Sequence, residues 1–411
     1  MLRNRLFSFW FVMLGMVTFV APVLAAEEEA KEEEAKESAD TAPPPVNWKP
    51  AGVVLPPATT GAVESKRLLP DPMFRHGEFE FSAHGQVAAM MGMVGEDART
   101  SNGDVLSQDG FRIRRARLGV GGQIMKNWEF ELELDLIDED NGGNSLNDAN
   151  ITWRPYEWGW VRVGAGKPGF SRALIQSSGA MQFLERPMWV NQERATDTHM
   201  LDLDHQVGMS MGGKLSLFFY EAGVYNGSPG FSKGDLNDGM LYLVRLGAGQ
   251  GDMGKSEADL ARGDFRWRVA INGYLNHEAA AEYRGAGADL SLKWNGLSFH
   301  AEALWAKGIP NERPEDVASE LDEVERWGMY AQAGYMLPFD FLDLEVAVRF
   351  AMMDDQVHID DEGDQWEMTA GVNAYFWEDQ VKLMLNYMMR EEMHGADLSN
   401  DMLAAMLQVK F

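Results

Sequence analysis

The chain lacks cysteine entirely, and its one long apolar run lies at the N-terminus. The missing thiols exclude a disulfide scaffold, a thiolate metal site, a cysteine nucleophile and a lipid-anchored cysteine. Positive charge is scarce too, because 36 Lys and Arg face 64 Asp and Glu, for a net charge of −28. A strongly negative net charge argues against nucleic acid as a partner, since phosphate binding needs a basic surface.

Catalytic motifs are equally sparse. The 8 histidines are scattered, without an H-E-x-x-H motif or a pair at metal-ligand spacing, so we expect no metal site and no cofactor. Residues 164–169 match G-x-G-x-x-G, but a dinucleotide site would need an amphipathic helix after them, and none is predicted. The acidic segment 354–364 lacks EF-hand spacing, which favours a solvated loop over a Ca²⁺ site. We predict that the chain is not an enzyme.

The N-terminal apolar run predicts a signal peptide over residues 1–25. Arg3 and Arg5 precede the largely apolar stretch 6–20, and the small residues Ala25 and Ala26 follow it. A basic start, an apolar centre and a small-residue cleavage site are the marks of an export signal. An uncleaved membrane anchor is the alternative, but the run is short for a bilayer.

Residues 26–72 differ in composition from the rest of the chain. The segment begins with the acidic run EEEAKEEEAKESAD and continues with a proline-rich stretch that includes Pro43, Pro44 and Pro45. Proline locks φ and removes backbone donors, so we predict a mostly disordered periplasmic tail and an extended linker. A short helix with Glu–Lys pairs four residues apart is the alternative for the acidic part. The segment is a candidate contact for a periplasmic partner.

From residue 73 to residue 411 the chain alternates between apolar and polar residues. In the stretch 128–136 one face carries aromatic and leucine side chains and the other carries only Glu and Asp. A period of two indicates strands. The segments run about ten residues, the length of a tilted strand that crosses a bilayer, and Trp128, Trp305, Trp327, Trp366 and Phe376 stand at their ends. Because every backbone group must be paired in lipid, such a sheet has to close into a barrel.

The pattern predicts an all-β fold, a 16-stranded antiparallel transmembrane β-barrel in the bacterial outer membrane. An even strand number and alternating short turns and long loops are typical of this class. Residues 249–263 are the exception, a long connection where a turn is expected. The predicted strands cover residues 79–91, 111–122, 128–138, 147–154, 159–167, 205–211, 214–226, 239–248, 264–276, 284–294, 297–308, 326–336, 341–353, 365–376, 380–390 and 401–411.

Several segments resemble the phosphate-selective porin O and P family. They appear in family order as the sequences at 110–120, 129–135, 161–164, 170–172, 183–186, 223–227, 371–376 and the last strand. The resemblance implies a homotrimer that passes small solutes, often anions, through a barrel whose fifth strand is followed by a long loop folded inward. Here that constriction loop would be residues 167–204, the longest connection in the barrel.

Alternation also predicts which charged side chains face the water-filled lumen, where rings of charge set ion preference. Ion pairs that only stiffen the wall are the alternative. At 112–115 the alternation is not clean, so the register there is open. The predicted pore-lining and constriction residues are Arg115, Arg117, Arg162, Lys167, Arg172, Arg186, Arg266, Arg268, Arg349, Lys382, Glu131, Glu133, Asp135 and Glu302.

The charges near the predicted constriction give six basic residues against four acidic ones, Glu185 included, and predict a weak anion preference at high salt. The outer loops are strongly acidic, however, so the sign of selectivity stays open. The leading hypothesis is a passive channel for small hydrophilic solutes and ions. The alternative is a structural barrel whose N-terminal arm contacts a periplasmic partner; an outer-membrane hydrolase would need a Ser–His pair that the sequence does not identify.

Overall fold

The computed structural model describes residues 74–98, 106–138, 143–156, 158–191, 205–227, 239–277, 281–310, 323–339 and 341–411. The predicted signal peptide and the tail and linker at 26–72 lie outside this part of the chain. Within it, no helix combines the length and the apolar character needed to cross a membrane.

The barrel consists of sixteen antiparallel strands, each paired with its neighbours in chain order, and it closes where β17 pairs with β2. A short additional strand, β1, folds back onto the start of β2. The strands are β1 Phe74–His76, β2 Phe79–Val94, β3 Gly110–Ile124, β4 Trp128–Asp138, β5 Gly143–Tyr156, β6 Gly159–Gly166, β7 Gln206–Leu215, β8 Phe218–Tyr225, β9 Leu241–Gln250, β10 Arg266–His277, β11 Ala281–Trp294, β12 Leu297–Pro310, β13 Val324–Met336, β14 Asp343–Asp354, β15 Gln365–Phe376, β16 Val381–Glu392 and β17 Met402–Lys410.

The predicted architecture is confirmed, and each predicted segment corresponds to one of the strands β2–β17. The main shift is at the turn between β7 and β8, which lies at 216–217 instead of 212–213. The β1 strand was not predicted. It is only three residues long, too short for an alternation to be detected.

The two faces of the wall are inverted relative to a water-soluble protein. On β4 the outward side chains of Leu132 and Leu134 are exposed, whereas the inward Asp135 is buried. On β15 the inward Thr369 and Asn373 are completely buried. An apolar outer face and a polar interior are what a barrel needs when lipid surrounds it and water fills it.

A bulge in β3 resolves the unclear register at 112–115. Ala88 of β2 pairs with Arg115, but the next residue, Ala89, pairs with Ile113. Arg114 is therefore the extra residue on the β3 strand, and a bulge of this kind re-aims a side chain. Its guanidinium, like that of Arg115, reaches the lumen.

Candidate functional site: a lumen divided by two inserted segments

The connection between β6 and β7 enters the lumen. We use "constriction loop" for its described part, residues 167–191. The loop contains two single-turn helices, α1 (Arg172–Ile175) and α2 (Met188–Asn191), and its apolar residues Phe170, Leu184 and Trp189 are almost fully buried inside the barrel. The predicted loop extends to residue 204, and its part after residue 191 lies outside the described residues.

The first anchor of the loop is at α1. The backbone N–H groups of Arg172 and Ala173 donate to the two carboxylate oxygens of Glu302 on β12, at 2.8 and 2.9 Å. The Arg172 guanidinium donates to Ser291 on β11 and to the Tyr330 hydroxyl on β13. This anchor holds the loop against β11, β12 and β13.

The second anchor is Gln182, which is fully buried. Its side-chain nitrogen donates to Ser298 of β12, and its side-chain oxygen accepts from Gln332 of β13 at 2.9 Å. Asn373 of β15 donates to the Gln182 carbonyl and to the Glu345 carboxylate. Both ends of the Gln182 side chain and its backbone carbonyl are therefore matched by the wall, as buried polar groups require.

The third anchor is Glu185, whose carboxylate accepts from Arg114 at 2.9 Å and from Arg115 at 3.1 Å. Burial disfavours the charged form of Glu185, but the two guanidinium charges outweigh that cost and lower its pKa to about 2. The backbone carbonyl of Glu185 accepts from Arg349, which also pairs with Glu367. The loop is thus tied to β3 and β14 by charge-assisted hydrogen bonds.

A second segment enters from the end of the barrel that carries the short turns. The connection between β9 and β10, residues 251–265, is here called the inner segment. It is the connection that the sequence marked as too long for a turn. Glu257 at its centre accepts from the Arg172 guanidinium at 2.8 Å and from Gln332 and the Gln182 backbone. The Glu257 backbone N–H donates to the Ala180 carbonyl, so the two inserted segments contact each other directly.

The inner segment is itself fixed to the wall. The Lys293 ammonium donates to the carbonyls of Met253, Ser256 and Ala258. Asp259, almost fully buried, accepts from the backbone of Gly296 and pairs with Arg266. At Glu257, burial is outweighed by the charge of Arg172 and by the hydrogen bonds, and the pKa falls to about 2.

The two insertions leave the lumen wall in two contrasting halves. We call β11–β17 the covered wall and β3–β8 the uncovered wall. The third anchor is an exception, because the loop covers Arg114 and Arg115 near the start of β3. The side chains of Arg349 and Glu367 in the covered wall are each 2% exposed. In the uncovered wall the side chains of Glu133 and Asp148 are 19% and 26% exposed.

The predicted pore residues divide between these regions. Arg115, Arg172, Arg349, Lys382 and Glu302 are buried against the inserted segments, Arg266 pairs with Asp259, and Arg186 donates to the loop carbonyls of Ala173 and Gln176. The Lys167 ammonium donates to the Leu174 carbonyl. The side chains on or beside the uncovered wall are those of Arg117, Arg162, Glu131, Glu133, Asp135 and Arg268.

Sequence reasoning missed several residues of this arrangement. Arg114 was hidden by the bulge, and Asp148 and Glu221 lie in strands whose alternation is weaker. Glu257 lies in a connection and has no alternating neighbours. Only the unexpected length of that connection signalled a special role.

A separate acidic group lies at the loop end of the barrel. One side-chain atom each of Asp360, Asp364 and His394 lies within 4.8 Å of the others. Nδ1 of His394 is 2.8 Å from the Asp364 carboxylate, a contact that joins two neighbouring outer loops.

The sequence profile described as "Phosphate-selective porin O and P" matches residues 89–411. The chain belongs to this family. A protein of Aquifex aeolicus (strain VF5) is 24% identical to the porin over 290 residues, 62% of this chain and 69% of that protein. A Caulobacter vibrioides protein is 26% identical over 332 residues, 72% of this chain and 62% of its own length. Both relatives are described as uncharacterized proteins.

Solved outer-membrane channels share the fold of this porin. The outer membrane channel DcaP of Acinetobacter baumannii aligns with a TM-score of 0.54 at 14% identity, over 83% of this chain and 100% of that one. An anion-selective porin from Comamonas acidovorans aligns with a TM-score of 0.53 at 12% identity, over 81% and 100%. Family and fold together identify a passive porin channel of the outer membrane.

Proposed function

We propose that small hydrophilic solutes and ions diffuse through this porin along the uncovered wall. The observation that carries the proposal is the contrast in exposure between the two walls: Glu133 and Asp148 on β4 and β5 remain partly exposed, while Arg349 and Glu367 on β14 and β15 are buried. Diffusion needs no covalent step and no cofactor, so the protein acts as a channel and not as an enzyme. The predicted pore-lining residues on the uncovered wall would bias which ions pass.

Single-channel recording in a planar lipid bilayer tests this proposal. The purified porin should give stepwise, ohmic currents in potassium chloride. A barrel that inserts but conducts no current would favour the alternative, a structural barrel whose residues 26–72 contact a periplasmic partner. The family description and the Comamonas porin make anions, including phosphate, the first solutes to compare with cations.

We further propose that the porin is a homotrimer exported by the signal peptide at 1–25. A trimer form has been solved for OmpT of Vibrio cholerae, which aligns with a TM-score of 0.51 at 10% identity. A closed barrel has no free edge at which unfolding can begin, so the trimer should migrate anomalously on unboiled gels. Light scattering that gives the mass of a monomer in detergent would contradict the trimer.

A further inference from the structure

The strong bases of the lumen are mostly paired with acids of the inserted segments and the covered wall. Arg114 and Arg115 pair with Glu185, Arg172 pairs with Glu257, and Arg349 and Arg390 share Glu367. A charge that is buried and paired contributes little field to a water-filled path. The excess of bases that predicted an anion preference is therefore used in holding the constriction loop.

The uncovered wall instead carries a cluster of carboxylates, here called the acidic stripe: Glu131, Glu133 and Asp148. Glu133 on β4 and Asp148 on β5 are direct cross-strand partners, an arrangement of like charges that is destabilising by itself. The nearest basic groups are two imidazoles: His84 lies 3.5 Å from Glu133, and His205 lies 3.8 Å from Asp148. One guanidinium also comes close, since Arg117 lies 3.9 Å from Glu133, but it pairs at 2.8 Å with Asp135.

The acidic stripe lies alongside the constriction loop. A Cβ added to Gly166, just before the loop, would lie 3.1 Å from the Asp148 carboxylate. At the other end, Arg117 donates to Ser178 of the loop and lies 3.9 Å from Glu133. The stripe therefore runs beside the loop between its start and the 3₁₀ turn Ser178–Ala180.

Nearby arginines on this wall are partly engaged. Arg117 pairs with Asp135 at 2.8 Å, and the Arg162 guanidinium stacks 5.1 Å from the centre of the Trp160 ring. The most exposed loop residues on this side, Ile175 and Ser177, carry no charge. The loop also has two partly exposed cations, Lys167 and Arg186, which donate to loop carbonyls. Five carboxylates of β4, β5 and β8 lie on this side, against four cations, so the local balance beside the loop is negative. The carboxylates are Glu131, Glu133, Asp135, Asp148 and Glu221, and the cations are Arg117, Arg162, Lys167 and Arg186.

We infer that the ion path of this porin runs between the constriction loop and the acidic stripe, and that it favours cations over anions. The inference rests on the proposed function and adds the sign of its ion selectivity. That sign is opposite to the anion preference suggested by the family description and by the count of charged residues in the sequence. Charges in a narrow lumen are screened by salt less than charges at the mouth, so the stripe outweighs the outer loops in setting selectivity.

The decisive measurement is the reversal potential of single channels in a potassium chloride gradient. Wild-type porin should pass K⁺ in preference to Cl⁻. The triple change Glu131→Gln, Glu133→Gln and Asp148→Asn should lower the K⁺/Cl⁻ permeability ratio by about twofold or more, because rings of charge set preference in a pore. A matched control, Asp360→Asn, Asp361→Asn and Glu362→Gln, changes the same charge in an outer loop and should leave the ratio nearly unchanged at 1 M salt.

An anion-selective wild type would overturn the inference while leaving the channel function intact. An unchanged ratio in the stripe variant would also overturn it. A barrel without current would instead refute the proposed function on which the inference rests. Heat modifiability of each variant on gels identifies folded barrels before recording.

The location of the path can be tested independently, because the chain has no cysteine to react in the background. A charged methanethiosulfonate reagent should modify Glu131→Cys in the open channel and reduce its current. The matched variant Thr369→Cys, at a fully buried position of the covered wall, should not react. Modification of Thr369→Cys without modification of Glu131→Cys would place the path on the opposite side of the loop and refute the inference.

Discussion

The strands of the covered and uncovered walls share the same alternation of apolar and polar residues, yet their polar side chains have different roles. On β14 and β15, Arg349 and Glu367 are paired and excluded from water, and they hold a loop. On β4 and β5, Glu133 and Asp148 face each other and keep part of their side chains exposed, with two imidazoles and the Arg117 guanidinium nearby. An inward charge in a barrel is therefore no evidence for pore lining until its partner is known.

Removing part of the constriction loop should change the contrast between the two walls the most. Deleting residues 175–186 eliminates the Gln182 and Glu185 anchors and returns the space beside the covered wall to water. We expect single-channel conductance to rise by about twofold or more, since a 16-stranded barrel without an inserted loop is an open aqueous channel. An unchanged conductance would show that the path does not pass the loop.

The two walls should also differ in the energetic cost of losing a carboxylate. Glu257→Ala leaves the buried Arg172 guanidinium without its ion-pair partner and should destabilise the folded porin by about 3–5 kcal/mol. Glu133→Ala, in the partly exposed acidic stripe, should cost only about 1 kcal/mol, because it also relieves the repulsion from Asp148 opposite. Urea unfolding in lipid vesicles measures both values. Equal costs would mean that the inner segment does not support the loop.

Replacing one asparagine in each wall should give a smaller difference in stability. Asn373→Ala in the covered wall removes hydrogen bonds to Gln182 and Glu345 and should cost about 1–3 kcal/mol, because it leaves buried acceptors unmatched. Asn150→Ala in the uncovered wall loses one bond to the Ala165 carbonyl and should cost about 0.5–1.5 kcal/mol. The same unfolding assay should rank Asn373→Ala as the more destabilised. A reversed order would contradict the assignment of the two walls.

Acid should weaken the loop attachment gradually. The pKa values of Glu185 and Glu257 are both lowered from 4.5 to about 2 in the folded porin. The stabilisation that these two ion-paired carboxylates give to the folded porin is therefore fully present above pH 4.5. It is lost as the pH falls towards 2. Single-channel records at pH 3 should be noisier than at pH 6, and the variant Glu185→Gln should show a smaller change between these pH values. Identical noise at both pH values in the wild type would argue against a loop held by these carboxylates.

The sequence could predict those parts of the barrel in which the role of a residue produces a pattern among its neighbours in the chain. Strands β4 and β15 were predicted with their exact limits, because side chains that alternate between lipid and water repeat every two residues. The connection after β6 was recognised by its length. Gln182 and Glu257, however, act through partners more than seventy positions away, and no local pattern encodes such a contact.

The same limit applies to charge. Counting Arg115 from alternation, and Arg172 and Glu185 from their place in the long connection, put all three inside the barrel, where they do lie. The structure brings them into a network with Arg114 and Glu257 that the sequence could not reveal. The bulge at Arg114 left only a broken alternation, which marks an irregular strand without saying which side chain is re-aimed.

The closing seam has a consequence for the order in which the barrel can be made. Gln86 on β2 bonds to Gln408 on β17, a sequence separation of 322 residues, and the Phe411 backbone exchanges two hydrogen bonds with Gly85. The first long strand therefore has no partner on one side until the last strand has been synthesised. Until then the chain carries an unsatisfied edge, and the barrel cannot close before its last strand is in place.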